Sequence, residues 1–136
     1  MKNIVVHPTG TCFEDVTLEY NRRIKEDLNL AIDKTFLICH GICLAGDDLP
    51  YSHAWIEEGE FVWFSGKIEG EFIFAQASKK EFYDEARVQE VTKYNYWEAM
   101  AAARGNGNRP PPWKLKYRKL CRDFTDPIKE ILAEKK

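Results

Sequence analysis

No stretch of this chain approaches the ~18 consecutive apolar residues of a membrane span, and the apolar run at its start (Ile4-Val5-Val6, before His7-Pro8) is too short for a signal peptide. Those two absences predict a cytoplasmic protein with no membrane partner. In that compartment Cys12, Cys39, Cys43 and Cys121 stay reduced. A disulfide framework is therefore not expected, and each cysteine is core, ligand or nucleophile. No internal repeat is present. Acidic residues are missing from one window: Ala101 to Arg122 holds seven basic residues (Arg104, Arg109, Lys114, Lys116, Arg118, Lys119, Arg122) and no Asp or Glu. With a formal net charge of -2 for the whole chain, the remainder carries -9. A basic arm on an acidic body suits a phosphate-bearing partner or folds back on that body.

What is present is an ordinary globular composition, 44% apolar and 31% charged over 136 residues. That length suits one domain able to bury its own core. We read residues 1–136 as a single domain, with 1–104 its core and 105–136 a Gly/Pro-containing basic extension and terminal helix. Near the start, Thr11 followed three residues later by Glu14 makes a capping box. It places Cys12 at the first helical position, where the helix dipole stabilises an anion and lowers a thiol pKa. Phe13, Val16, Tyr20, Ile24 and Leu28 then recur at helical spacing, giving one buried stripe on a helix that runs into the high twenties.

Phe36 to Leu44 is almost continuously apolar and reads as a central strand buried on both faces. After the turn Ala45–Pro50 comes an alternating strand. Tyr51, His53, Trp55 and Glu57 share one side of it, Ala54 and Ile56 the other. Two further aromatic strands, Glu60–Ser65 and Glu71–Ala75, follow short Gly turns, so an antiparallel meander is expected. Ser78…Glu81 and Asn95…Glu98 start two more helices, to about Ala86 and about Arg104, with a strand between them over Val88–Tyr94. Trp113 to Cys121 fits either a strand or a helix, and Asp126-Pro127 opens a last helix. The fold class is α+β, a leading helix on a meander with peripheral C-terminal helices. If both sheet faces are apolar, the first helix covers one. Later helices or a second copy of the chain cover the other, which makes a homodimer an expectation.

Three groupings carry possible chemistry. Cys12 with His53 forms a nucleophile and base: the imidazole holds the thiolate and later protonates the leaving group. Cys39-His40-Gly41-Ile42-Cys43 has the residue types of a metal site, but strand alternation splits His40 from the cysteines and the spacing is poor for zinc, so core packing is the better reading. The basic arm carries Trp113 and Tyr117 among its cations, a combination that serves nucleic acid or simply packs on the body.

Cys12, the pair His40-Gly41, the strand His53-Ala54-Trp55-Ile56-Glu57, the helix led by Tyr94 to Ala99 and the run Arg109-Pro110-Pro111-Pro112-Trp113 together resemble small bacterial and phage proteins of papain-like, transglutaminase-like fold. The resemblance covers roughly Gly10 to Trp113. It implies a papain-like α+β fold and cysteine-dependent acyl chemistry with no cofactor. In that reaction Cys12 attacks an acyl carbon (amide, thioester or isopeptide) of a protein or small substrate. His53 acts as base and then acid, and backbone N–H groups at the helix start hold the oxyanion. The sequence departs from the family at the strand after His53, where an orienting Asp or Asn is expected and Phe64 or Ser65 stands. Glu57 and Glu71 are the candidates to replace it. That departure supports the alternative, a catalytically inactive binding protein on the same scaffold.

Overall fold

The computed structural model describes residues 12–68 and 71–120. Helix α1 (Cys12–Glu26) leads, followed by a 3-10 turn (Leu28–Ile32) and strands β1 (Phe36–Leu44), β2 (Pro50–Glu58), β3 (Phe61–Ile68) and β4 (Glu71–Ser78). Then come α2 (Lys79–Ala86), β5 (Glu90–Tyr94), α3 (Tyr96–Gly105) and the five-residue α4 (Leu115–Lys119). The protein is α+β. All five strands pair antiparallel in the order β4-β3-β2-β1-β5. The first four form the expected meander, and β5 returns to the free edge of β1.

Helix α1 begins at Cys12 and buries Phe13, Val16, Tyr20 and Ile24, the expected stripe. Leu28 does not belong to it. The helix closes at Glu26, and Asp27 turns to an extended conformation whose carboxylate accepts from the Asn29 N–H and caps the 3-10 turn. Leu28 is thereby carried off the stripe and left exposed. Tyr20 ties the helix to the sheet, stacking on Phe36 at 4.6 Å and donating its hydroxyl to the Phe36 carbonyl at 2.9 Å. The Asn95–Glu98 capping box is complete in both directions. At α2 the Ser78 hydroxyl accepts from the Glu81 N–H and donates to the Glu81 carboxylate. The Thr11 half of the first capping box, Cys121, Arg122 and the Asp126-Pro127 helix start lie outside the described residues.

Register fixes two faces. Phe36, Ile38 and His40 of β1 share a face with Ala54 and Ile56 of β2 and Tyr94 of β5, and α1 packs there. Cys39 and Cys43 share the other with Tyr51, Trp55, Val62 and Phe64, under Phe82 of α2. The later helices divide differently from expectation. Among the described helices only α2 covers the second face. α3 joins α1 through Tyr96, Ala99, Ala102 and Ala103, and Trp113 packs in the same cluster. Among the described residues each face of the sheet is therefore covered from within the same chain.

The segment after α3 is part of this core. Trp113 and Tyr117 are buried, the Tyr117 hydroxyl bonds the Thr92 hydroxyl at 2.9 Å, and the Ser52 N–H donates to the Leu120 carbonyl at 2.9 Å. Within the Trp113–Cys121 stretch, the described residues to Leu120 hold the short helix α4, with Leu115 turned to solvent.

Gly41 pairs with His53 across the β1–β2 ladder, beneath the Trp55 ring. A Cβ there would lie 2.6 Å from Trp55 Cη2 and 2.7 Å from the Glu90 carbonyl oxygen. One obstacle is a core ring and the other backbone, so neither yields easily. Gly41→Ala is expected to cost about 2–3 kcal/mol in urea unfolding, the range of an overpacked core. A variant as stable as the parent would show that the strand shifts freely at this point.

Candidate functional site

Cys12 lies in the first described turn of α1 and is buried with the apolar cluster on the α1 face. His53 lies on β2, and strand alternation turns its ring the other way, between Tyr51 and Trp55 and against Phe82 of α2, at centroid distances of 5.9, 6.0 and 6.2 Å. It is 1% exposed, and neither ring nitrogen has a hydrogen-bond partner among the described residues. Burial alone holds it neutral, with its pKa pushed down to about 4. The hydrogen bond that would make Cys12 and His53 a working pair is not formed, and the helix bearing Cys12 packs across the opposite face of the sheet.

The histidine on the α1 face is His40. Its ring meets Phe13, the residue after Cys12, edge-on at 4.9 Å, with Trp113 at 5.0 Å and Tyr94 at 5.4 Å. It too is fully buried without a partner for either nitrogen, and burial lowers its pKa to about 3. Comparison with family models, curated proteins and solved structures finds no match to this chain.

The strand after His53 supplies no orienting acid. Ser65 is buried with its hydroxyl unpartnered, and Phe64 is a core ring against Phe82. The side chain of Glu71 is outside what is described. Glu57 is on the face of His53, four residues along β2, but its oxygens are taken. Oε1 accepts from Lys93 Nζ at 2.8 Å, with Lys79 Nζ at 3.6 Å, and Oε2 accepts from the Tyr83 hydroxyl at 2.5 Å and Trp55 Nε1 at 3.0 Å. Four side chains thus converge on one buried carboxylate. Sequence reading reached Glu57 as a possible orienting acid but missed Lys93, Lys79 and Tyr83. The signal for Lys93 was its alternation with Thr92 and Tyr94 on β5, which places it on the Glu57 face once β5 pairs with β1.

Cys39 and Cys43 are core thiols on the α2 face, with His40 on the other, as alternation requires. Burial pushes Cys39 well up, and burial with a smaller contribution from the neighbouring Cys12 thiol takes Cys43 to about 12. Among the described residues no three His, Cys, Asp or Glu side chains gather as a metal site, and no helix is long and apolar enough to cross a membrane. A groove of about 240 Å³ runs along the outer side of α1, lined by Asp15, Leu18, Glu19, Arg22 and Phe74. Neither Cys12 nor His53 contributes to it.

Proposed function

We propose that this chain is a binding protein on a papain-like α+β scaffold, with Cys12 serving as a helix-start core residue. The observation that carries the reading is His53. Walled by Tyr51, Trp55 and Phe82 on the α2 side of the sheet, it makes no hydrogen bond through either nitrogen. A base must reach the proton it abstracts, directly or through one water. The absence of an orienting partner for the imidazole supports the same reading, because a triad base needs a group to fix its ring and tautomer.

A second reading, acyl hydrolysis or transfer by Cys12 on a protein or small acyl substrate, draws support from the place of Cys12 in the first described turn of α1. There a thiolate and a developing oxyanion are both stabilised. Alkylation separates the two. Cys12 is followed site-specifically by mass spectrometry as iodoacetamide is added across a pH series, in the parent and in His53→Phe. The binding reading expects the two profiles to agree within about twofold. A reactive plateau at acidic pH that disappears in His53→Phe would overturn it and restore the pair.

A further inference from the structure

The segment from the end of α3 through α4 is a folded, cation-only surface, and its geometry points to the phosphate backbone of a duplex nucleic acid as its partner. The segment is pinned at several points. The Asn108 N–H donates to the Ala103 carbonyl at 2.9 Å, Trp113 Nε1 to the Arg109 carbonyl at 3.2 Å, and Arg118 Nη2 to the Pro110 carbonyl at 2.7 Å. Tyr117 locks it to β5 through Thr92. These contacts make it a preformed surface, so little ordering entropy is lost on binding.

Its charges are of one sign. Arg104, Arg109, Lys114, Lys116, Arg118 and Lys119 occupy it, with no Asp or Glu between Ala101 and Arg122. Lys116 is neutralised by the Glu90 carboxylate, and Arg118 is engaged by the Pro110 carbonyl. Arg104, Arg109, Lys114 and Lys119 are exposed and make no ion pair with any described residue. Four cations without a described ion-pair partner on a pinned loop and helix suit an anionic lattice. Duplex DNA presents one phosphate charge per about 1.7 Å of axis, a density that isolated carboxylates do not match.

The aromatics decide between duplex and single strand. Trp113 and Tyr117, interleaved with the cations in sequence, are 8% and 0% exposed and belong to the core. They are not available as stacking platforms, on which single-strand binding depends. Contact is left to phosphates alone, so binding is sequence-independent. The acidic remainder of the chain confines it to this surface. The inference gives the binding reading its partner class and rests on that reading in taking the surface, not Cys12, as the working part. The two fail separately, since the alkylation result stands whatever this surface binds.

The test is fluorescence anisotropy with a labelled, mixed-sequence duplex DNA and the full chain. Expected is a Kd of about 1–10 µM at about 50 mM salt, with log K falling against log salt at a slope of about −3 to −4, the release expected for four phosphate contacts. The variant Arg104→Gln/Arg109→Gln/Lys114→Gln/Lys119→Gln, with an unchanged melting curve, is expected to bind more than about 30-fold more weakly with a slope shallower than about −1. Each of three results overturns the proposal: no binding at about 100 µM protein, a quadruple variant that binds like the parent, or tighter binding to the same sequence as a single strand. Equal competition by polyglutamate also overturns it and assigns the surface to an acidic protein.

Discussion

Lowering the pH from 7 to 4.5 is expected to remove roughly 5 kcal/mol of folding stability, through two buried histidines. In the unfolded chain His40 and His53 take up protons below their ordinary value of about 6.5. In the folded protein burial holds them neutral down to about 3 and about 4 respectively. Between those limits the unfolded state binds more protons, so stability falls as pH falls, by about 1.4 kcal/mol per pH unit for each histidine. The loss begins near 6.5, continues for His53 to about 4 and for His40 to about 3. Their surroundings offer no relief. His40 faces Phe13 of α1, Tyr94 of β5 and Trp113. His53 faces Tyr51, Trp55 and Phe82, and Glu57 on the same side is committed to Lys93, Tyr83 and Trp55. Because small domains are stable by only about 5–15 kcal/mol, acid unfolding is expected near pH 4 to 5. Urea unfolding from pH 7 down to 4.5 measures the slope directly, and His53→Phe is expected to halve it. At pH 7 that variant is expected to be neutral or slightly stabilising, since it replaces a ring whose nitrogens are unsatisfied. A parent equally stable at pH 7 and pH 5 would show that protons reach both rings in the folded state.

Period-two alternation placed His53 beside Trp55 and Glu57 and opposite Ala54 and Ile56, and the register bears this out. What alternation cannot say is which stripe receives α1, because both faces of β2 are apolar and either fits a helix. The answer depends on size. Ala54 is small enough for α1 to approach, while Trp55 fills the other side in the space left by Gly41. That is a match of volumes between three elements, and no local window contains it. The C-terminal stretch misleads for a different reason. Glycines and prolines from Gly105 to Pro112 have the composition of a linker, yet Trp113 and Tyr117 beyond them carry enough apolar area to pull the segment into the core. The partners of Glu57 were hidden by distance along the chain. Tyr83 stands 26 residues later and Lys93 stands 36 later, on elements whose positions follow only from the whole sheet.

Glu57→Ala is expected to be among the most damaging single substitutions in the protein, costing about 3–5 kcal/mol. The carboxylate is fully buried. Removing it strands the Tyr83 hydroxyl and the Trp55 N–H, both of which donate to Oε2, and leaves Lys93 and Lys79 beside an apolar hole. Glu57→Gln keeps the shape but turns an amide N–H₂ toward one pair of donors, and about 1–3 kcal/mol is expected. Lys93→Met should cost less than either, because the ammonium is partly exposed and Lys79 remains near the same oxygen. The pH dependence gives a second readout. Burial pushes the Glu57 carboxyl up, but hydrogen bonds from Lys93, Tyr83 and Trp55 and the Lys93 charge together hold it below its ordinary 4.5. An acid with a lowered folded pKa contributes stability above its unfolded value and loses it as pH falls through the folded one. The Glu57 loss therefore sets in below about pH 4.5, where it adds to the lower end of the window in which the histidines act. In Glu57→Gln that lowest part of the acid limb is expected to flatten while the histidine slope above it stays. Combining Glu57→Leu with Tyr83→Phe and Lys93→Met removes two of the stranded partners, leaving the Trp55 N–H and the part-exposed Lys79, and is expected to recover part of the Glu57→Ala loss, since an apolar substitute for a buried ion pair is often neutral. If Glu57→Ala costs under about 1 kcal/mol, water reaches the site in the folded protein and the cluster does not hold α2 and β5 to the sheet.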